Sequence, residues 1–152
     1  ICSDKTGTLT ENKMSIEYLF DAVVHQSFVV KDNLHLPALL LEYAMWSSES
    51  NPFDPMEKAI HILYEQQAET DKRKFFTQVH EYPIGGKPPM MTHIFKNDKG
   101  EFIIAAKGAP EAILRQSNIS INELKNIVAS KFMFTLSFTR TRWIVSVEVT
   151  LA

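Results

Sequence analysis

Residues 90–106 read MMTHIFKNDKGEFIIAA, and this stretch decides the fold. Met90–Phe95 and Glu101–Ala106 alternate as strands do, and Asn97-Asp98-Lys99-Gly100 between them supplies turn residues. The pair reads as a hairpin, so its strands run antiparallel. Just upstream, Phe75–Tyr82 reads as another strand, and Pro83–Pro89, with two Gly and three Pro, as a turn or loop. Just downstream, Gly108–Leu114 starts a helix with Pro110 in its first turn.

Further out, Met14–Val30 is β-branched and aromatic and predicts two strands joined by a short turn. Pro37 suits the first turn of a helix in which Leu39, Leu40, Tyr43, Ala44 and Trp46 recur at helical spacing. The Ser-rich stretch Ser47–Asn51 ends it. A second helix opens with Asp54 as N-cap, Pro55 as first residue and Glu57 at the third position, with Ile60, Leu63 and Tyr64 as its apolar face. Glu69–Lys74 reads as a solvated loop or helix end, Asn122–Ser130 as a fourth helix and Phe132–Ala152 as one or two strands. Strands and helices mix without regular βαβ alternation. The expected fold class is therefore α+β, an antiparallel sheet with flanking helices.

A chain of 152 residues has room for one ordinary core, and 45% hydrophobic with 22% charged residues is usual for a globular domain. The net charge is −2 with both signs interspersed, which lacks the basic face of a nucleic-acid binder. His25, His35, His61, His80 and His93 are scattered along the chain. Cys2 is the only cysteine, which excludes an internal disulfide and a thiolate metal cage and fits a reducing compartment. No apolar run approaches the roughly 20 residues of a membrane-spanning helix. The chain begins Ile1-Cys2-Ser3-Asp4, without Met or a basic leader, and reads as a piece of a longer protein.

The chemistry is concentrated in Asp4-Lys5-Thr6-Gly7-Thr8-Leu9-Thr10. A carboxylate on a loop just after a strand is placed to act as a nucleophile. Gly7 lets the backbone approach a phosphate, and the hydroxyls of Thr6, Thr8 and Thr10 donate to its oxygens. Lys5 adds positive charge without having to point at the phosphate. Phosphatases of the haloacid dehalogenase superfamily carry a second Asp two residues after the nucleophile. Here that position is Thr6, which exchanges no proton near neutral pH, so a phosphoaspartate at Asp4 would be long-lived.

Cys2-Ser3-Asp4-Lys5-Thr6-Gly7-Thr8-Leu9-Thr10-Glu11-Asn12-Lys13-Met14 closely resembles the phosphorylation signature of P-type ATPases. Two later stretches resemble the nucleotide-binding domain of that family. Lys107-Gly108-Ala109-Pro110-Glu111 is similar to its nucleotide-site motif, and Asp54-Pro55-Met56-Glu57-Lys58-Ala59 to its acidic element near adenine. The resemblance implies the start of a haloacid-dehalogenase-like phosphorylation domain over 1–13 and a nucleotide-binding domain over 14–131. A divergent, strand-forming segment follows over 132–152. It also implies that Asp4 is phosphorylated, that ATP and Mg²⁺ are the cofactors, and that Asp4 and the Thr6 carbonyl hold Mg²⁺. Glu57 would accept from the adenine amino group, and Lys107 would reach the adenosine or phosphates. Gly108 would clear space for the purine.

Ile84 stands where many relatives have a Phe stacked on adenine, offering apolar contact without a π face. Lys87 reads either as the accompanying basic residue in a shifted position or as a solvated loop lysine. Asp54 and Glu57 likewise read either as site residues or as a plain capping box. The motif combination resembles the type 2, calcium-type branch, on the cytoplasmic face of a membrane. Its partners would be the phosphorylation, actuator and transmembrane parts of the parent pump. The piece alone is expected to bind ATP without turnover. The competing readings are a haloacid-dehalogenase-type phosphatase and a non-catalytic nucleotide-binding module.

Overall fold

The computed structural model describes residues 14–21, 24, 26–32, 35–87, 89–116, 135–139, 142–145 and 147–151. The Asp4 loop and the fourth helix expected over Asn122–Ser130 lie outside the described residues. The fold is α+β, as the mixed order of elements predicts, with two antiparallel sheets and three α-helices among the described residues.

The smaller sheet has the order β2-β1-β8, with β1 Met14–Asp21, β2 Gln26–Val29 and β8 Val147–Leu151. In β1 the buried residues are Ile16 and Leu19, three apart rather than two. A register shift against β8 between Ile16 and Tyr18 explains this spacing, since one extra residue returns the next side chain to the same face.

The larger sheet has the order β3-β4-β5-β6-β7. Its strands are β3 Phe76–Gly85, β4 Met90–Asn97, β5 Phe102–Gly108, β6 Thr135–Thr139 and β7 Arg142–Val145. The β4–β5 hairpin is as expected: Asn97 Oδ1 accepts from Lys99 N and Glu101 N, and Gly100 takes φ 83°. Three boundaries differ from the sequence reading. β3 continues through Pro83 to Gly85, so the turn is confined to the residues after it. Proline is tolerated there because β3 is an edge strand and needs no donor on its outer side. Gly108 closes β5, and the helix after it, α3, covers Pro110–Arg115. Among the described residues the C-terminal stretch holds three strands rather than one or two: β6 and β7 extend the larger sheet, and β8 joins the smaller.

Helix α1, Ala38–Trp46, buries Leu40, Leu41, Tyr43, Ala44, Met45 and Trp46, nearly its whole circumference. Such a helix belongs inside the core rather than over it. Trp46 packs on Phe95 and Phe76, with ring centroids 4.6 and 5.6 Å away. Ser47 and Ser48 end the helix by donating their buried hydroxyls to the Ala44 carbonyl, at 2.9 and 3.0 Å. Helix α2, Pro55–Gln67, is one-sided: Ala59, Ile60, Leu63 and Tyr64 face the core while Lys58, Ile62 and Glu65 face out. No helix among the described residues is long and apolar enough to cross a membrane.

An ionic cluster ties the end of α2 to the start of β3. Arg73 donates to both Asp71 oxygens (2.9 and 2.8 Å), to Glu65 (2.8 Å) and to His61 Nδ1 (3.1 Å). Arg73 can only donate, so His61 accepts at Nδ1 and is neutral. Burial and the nearby guanidinium push the His61 pKa below its ordinary value. Below pH 6.5 the unfolded chain therefore takes up a proton that the folded chain resists, and stability falls with acidification. Urea denaturation from pH 7 to pH 5 should show this loss, at no more than about 1.4 kcal/mol per pH unit for one proton. His61→Gln should flatten the profile; an unchanged slope would remove His61 as its cause.

Candidate functional site

The site is assembled where the first turn of α2 meets the end of β5. Asp54 caps the helix, its Oδ1 accepting from Met56 N at 2.8 Å and Glu57 N at 3.4 Å. In a capping box the Glu at the third position turns back to the cap residue. Glu57 instead turns inward, is 3% exposed, and pairs with the Lys107 ammonium. Asp54 is thus the cap, and Glu57 is engaged by Lys107 rather than by a capping box.

Lys107 reaches Glu57 because strands alternate. Ile103, Ala105 and Lys107 share one face of β5, and Met91, His93 and Phe95 share the matching face of β4, with Met91 paired to Lys107. That face looks toward the helices. It is apolar at Phe95 and Ile103 and becomes polar toward Lys107. Burial pushes the Lys107 pKa below that of an ordinary lysine, while the carboxylates of Glu49 and Asp54 pull it back up.

Gly108 follows at the rim. A Cβ there would lie 2.5 Å from the Pro89 carbonyl oxygen and 2.6 Å from the Met90 Cα. The same carbonyl accepts from Ala109 N at 2.8 Å. Close approach of two backbones thus requires glycine at this position whatever binds nearby. Gly85 pairs with Met90, and Met90 with Gly108, so the end of β3 borders the same rim. Ile84 (69% exposed) and Lys87 are solvent-facing. Asp4, Lys5, Thr6, Gly7 and Thr8 lie outside the described residues. A cleft of about 360 Å³ opens elsewhere, between α1 and the end of α2, against Leu41, Glu42, Tyr64 and Lys72; none of the predicted site residues lines it.

The sequence does not single out Glu49, Glu81 and His93, whose ligand atoms converge, with Glu49 also acting on the Lys107 charge. The available signal was the alternation Met91-Thr92-His93-Ile94-Phe95, which places a histidine at an inward position between two core residues.

The comparisons with known proteins agree with the resemblance carried by residues 2–14. No family model matches the chain. The relatives it does match are P-type ATPases. One is a "Probable cation-transporting P-type ATPase" of Mycoplasma genitalium, 32% identical over 130 residues, or 84% of this chain and 14% of the relative. Another is "Plasma membrane ATPase 2" of Saccharomyces cerevisiae, 30% identical over 76% of this chain and 11% of the relative. A third is "Calcium-transporting ATPase 1" of Bacillus cereus, 31% identical over 75% of this chain and 14% of the relative. The chain thus spans only 11 to 14% of the length of these relatives.

Removing one member of a buried ion pair strands the other charge. Lys107→Ala should therefore lower the unfolding free energy by about 3 kcal/mol. Adding Glu57→Leu should recover most of that, because an apolar pair of similar volume replaces a buried ionic one at little net cost. Urea titrations of the two variants check this; equal losses in both would mean that the contact contributes packing and not charge pairing.

Proposed function

We propose that this chain is part of a P-type ATPase and binds ATP at the rim formed by Glu57, Lys107, Gly108, Ile84 and Lys87. The single observation that supports this most is the buried Glu57–Lys107 pair, made by two segments that each resemble the family's nucleotide site. A carboxylate and an ammonium side by side offer an acceptor and a donor in one small space. The adenine amino group donates to Glu57, and Lys107 donates to acceptors of the nucleotide. Ile84 gives apolar contact to the purine, and Lys87 supplies charge at the opening.

In the parent protein Asp4 is the nucleophile. One of its carboxylate oxygens attacks the γ-phosphorus of ATP in line, a P–O bond forms, the bond to the β-phosphate oxygen breaks, and ADP leaves. Mg²⁺, when bound, offsets the charge of the phosphoryl group in transfer; the Asp4 carboxylate and the Thr6 carbonyl are hard oxygen donors that suit it. Thr6, unable to act as a base, leaves the aspartyl phosphate long-lived. Lys5, Gly7 and Thr8 complete the phosphate loop. The transferred phosphoryl drives cation transport by a membrane part that this chain does not contain. The reading places the protein on the type 2, calcium-type branch, at the cytoplasmic face of its membrane. Its partners are the remaining phosphorylation, actuator and transmembrane parts of the pump.

Calorimetric titration of the chain with ATP should give saturable binding, weakened about tenfold or more by Lys107→Ala in protein shown to be folded, as expected for a lost charge-assisted hydrogen bond of about 1.5–3 kcal/mol. Folded protein that binds no ATP would sink the proposal. Binding requires the Lys107 ammonium, whose pKa lies below that of an ordinary lysine. Affinity should therefore decline on the alkaline side before an ordinary lysine would lose its proton. With γ-labelled ATP no stable label should appear on the isolated chain, and label retained on Asp4 would overturn the absence of turnover.

A further inference from the structure

The end of β4 holds a histidine that the core does not explain. His93 is 0% exposed, and its Nε2 has no hydrogen-bond partner. Its other nitrogen, Nδ1, stands 3.4 Å from the Trp46 carbonyl oxygen. A carbonyl only accepts, so Nδ1 carries a proton, and in the neutral ring Nε2 then presents a lone pair. That lone pair faces Glu49 Oε1 at 3.9 Å and Glu81 Oε2 at 4.0 Å. With the ring neutral, three acceptors converge on one point, an arrangement that suits a cation among them.

The spacing also fits an ion better than direct contact. A charged hydrogen bond from His93 to either carboxylate would be about 2.7–2.9 Å long. The two observed distances are longer and nearly equal, as for groups around a shared centre. All three donor atoms lie within 4.8 Å of one another. Two ligands of a tetrahedral zinc ion stand about 3.3 Å apart, given metal–ligand bonds near 2.0–2.1 Å. Closing the difference takes sub-ångström movements of Glu49 and Glu81, whose side chains are 43% and 36% exposed.

Outer partners are present as well. Gln78 Nε2 donates to Glu81 Oε2 at 3.2 Å, and Ser50 Oγ, next to Glu49, donates to Gln78 Oε1 at 3.0 Å. The Trp46 carbonyl orients the imidazole. Hydrogen-bonded outer groups of this kind fix the tautomer and direction of metal ligands.

We propose that Glu49, Glu81 and His93 form a binding site for a divalent transition-metal ion of the zinc type. One imidazole nitrogen and two carboxylate oxygens favour Zn²⁺ or Co²⁺ over Ca²⁺ and Mg²⁺, which take oxygen ligands. Three protein ligands leave a fourth position for water. The site uses none of the residues proposed to hold Mg²⁺ and stands whether or not ATP binds at Lys107.

The test is a titration of the nucleotide-free chain with zinc chloride, read by calorimetry and by the nitrogen-15 shifts of the histidine side chains. One saturable equivalent is expected, with a coordination shift at His93 Nε2. Glu81→Gln and Glu49→Gln, nearly isosteric and at part-exposed positions, should each weaken it about tenfold or more. His93→Gln is less informative because it also perturbs a fully buried position, so the two carboxylate variants decide. Binding unchanged in the Glu49→Gln/Glu81→Gln double variant would assign the zinc to other residues and overturn the proposal. A His93 Nε2 that remains protonated or unshifted at saturating zinc would overturn it equally.

Discussion

The contact between Glu57 and Lys107 ties the rotation of α2, which packs on α1 and β1, to the end of β5 in the larger sheet. Glu57 lies on the stripe of α2 that also carries Ile60, His61 and Tyr64, so burying the apolar members carries the carboxylate inward with them. A lone carboxylate at 3% exposure would be strongly destabilising. Lys107 removes that difficulty, and it does so from the last turn of the alternation in β5. The helix cannot rotate to expose Glu57 without lifting Ile60 and Tyr64 off the core. It cannot keep Glu57 buried without Lys107. The position of α2 and the composition of the sheet end are therefore one constraint.

The inner face of the sheet follows from the same alternation. At one end Phe95 meets Trp46, with ring centroids 4.6 Å apart, and Ile103 packs against the same core. One step along, Ala105 and His93 are fully buried, and one step further come Met91 and Lys107. The face grades from aromatic to ionic within three residues of each strand. Trp46 serves both ends, since its ring fills the apolar part and its carbonyl faces His93 Nδ1. The Ser47 and Ser48 hydroxyls satisfy the chain immediately after it, which lets α1 stop inside the core and deliver Glu49 to the polar end.

Much of this was legible in the residues. The β4–β5 hairpin was readable because its turn and its alternation agree, and the start of α2 because Asp54-Pro55 is both a cap and a preset first turn. The Glu57–Lys107 contact was not. Local rules assign Glu57 to the capping box, and only tertiary packing shows that Asp54 caps alone. The sequence shortens β3 because Pro83 signals a break, and the edge position that tolerates it is a property of the sheet. Glu49, Glu81 and His93 come from three separate segments, and nothing in their spacing announces that they meet. At Gly108 the sequence suggests clearance for a ligand, and the Pro89 carbonyl gives a second, purely structural reason for glycine.

On the proposed reading, the pairing of Glu57 with Lys107 also determines what kind of ligand can enter. Without ligand the two charges satisfy each other. A ligand that separates them must supply a donor to Glu57 and an acceptor to Lys107 together, or it leaves a buried charge unpaired. Adenine meets the first demand with its amino group. Guanine places a carbonyl at the corresponding ring position, which would face the carboxylate acceptor to acceptor. Discrimination built on an unpaired buried polar group is far stronger than discrimination by fit alone. A buried ion pair contributes little net stability, as a well-packed apolar pair would serve the core as well. Its value here lies in what it rejects, which is a reason for a site of this kind to be ionic where the core needs only to be filled.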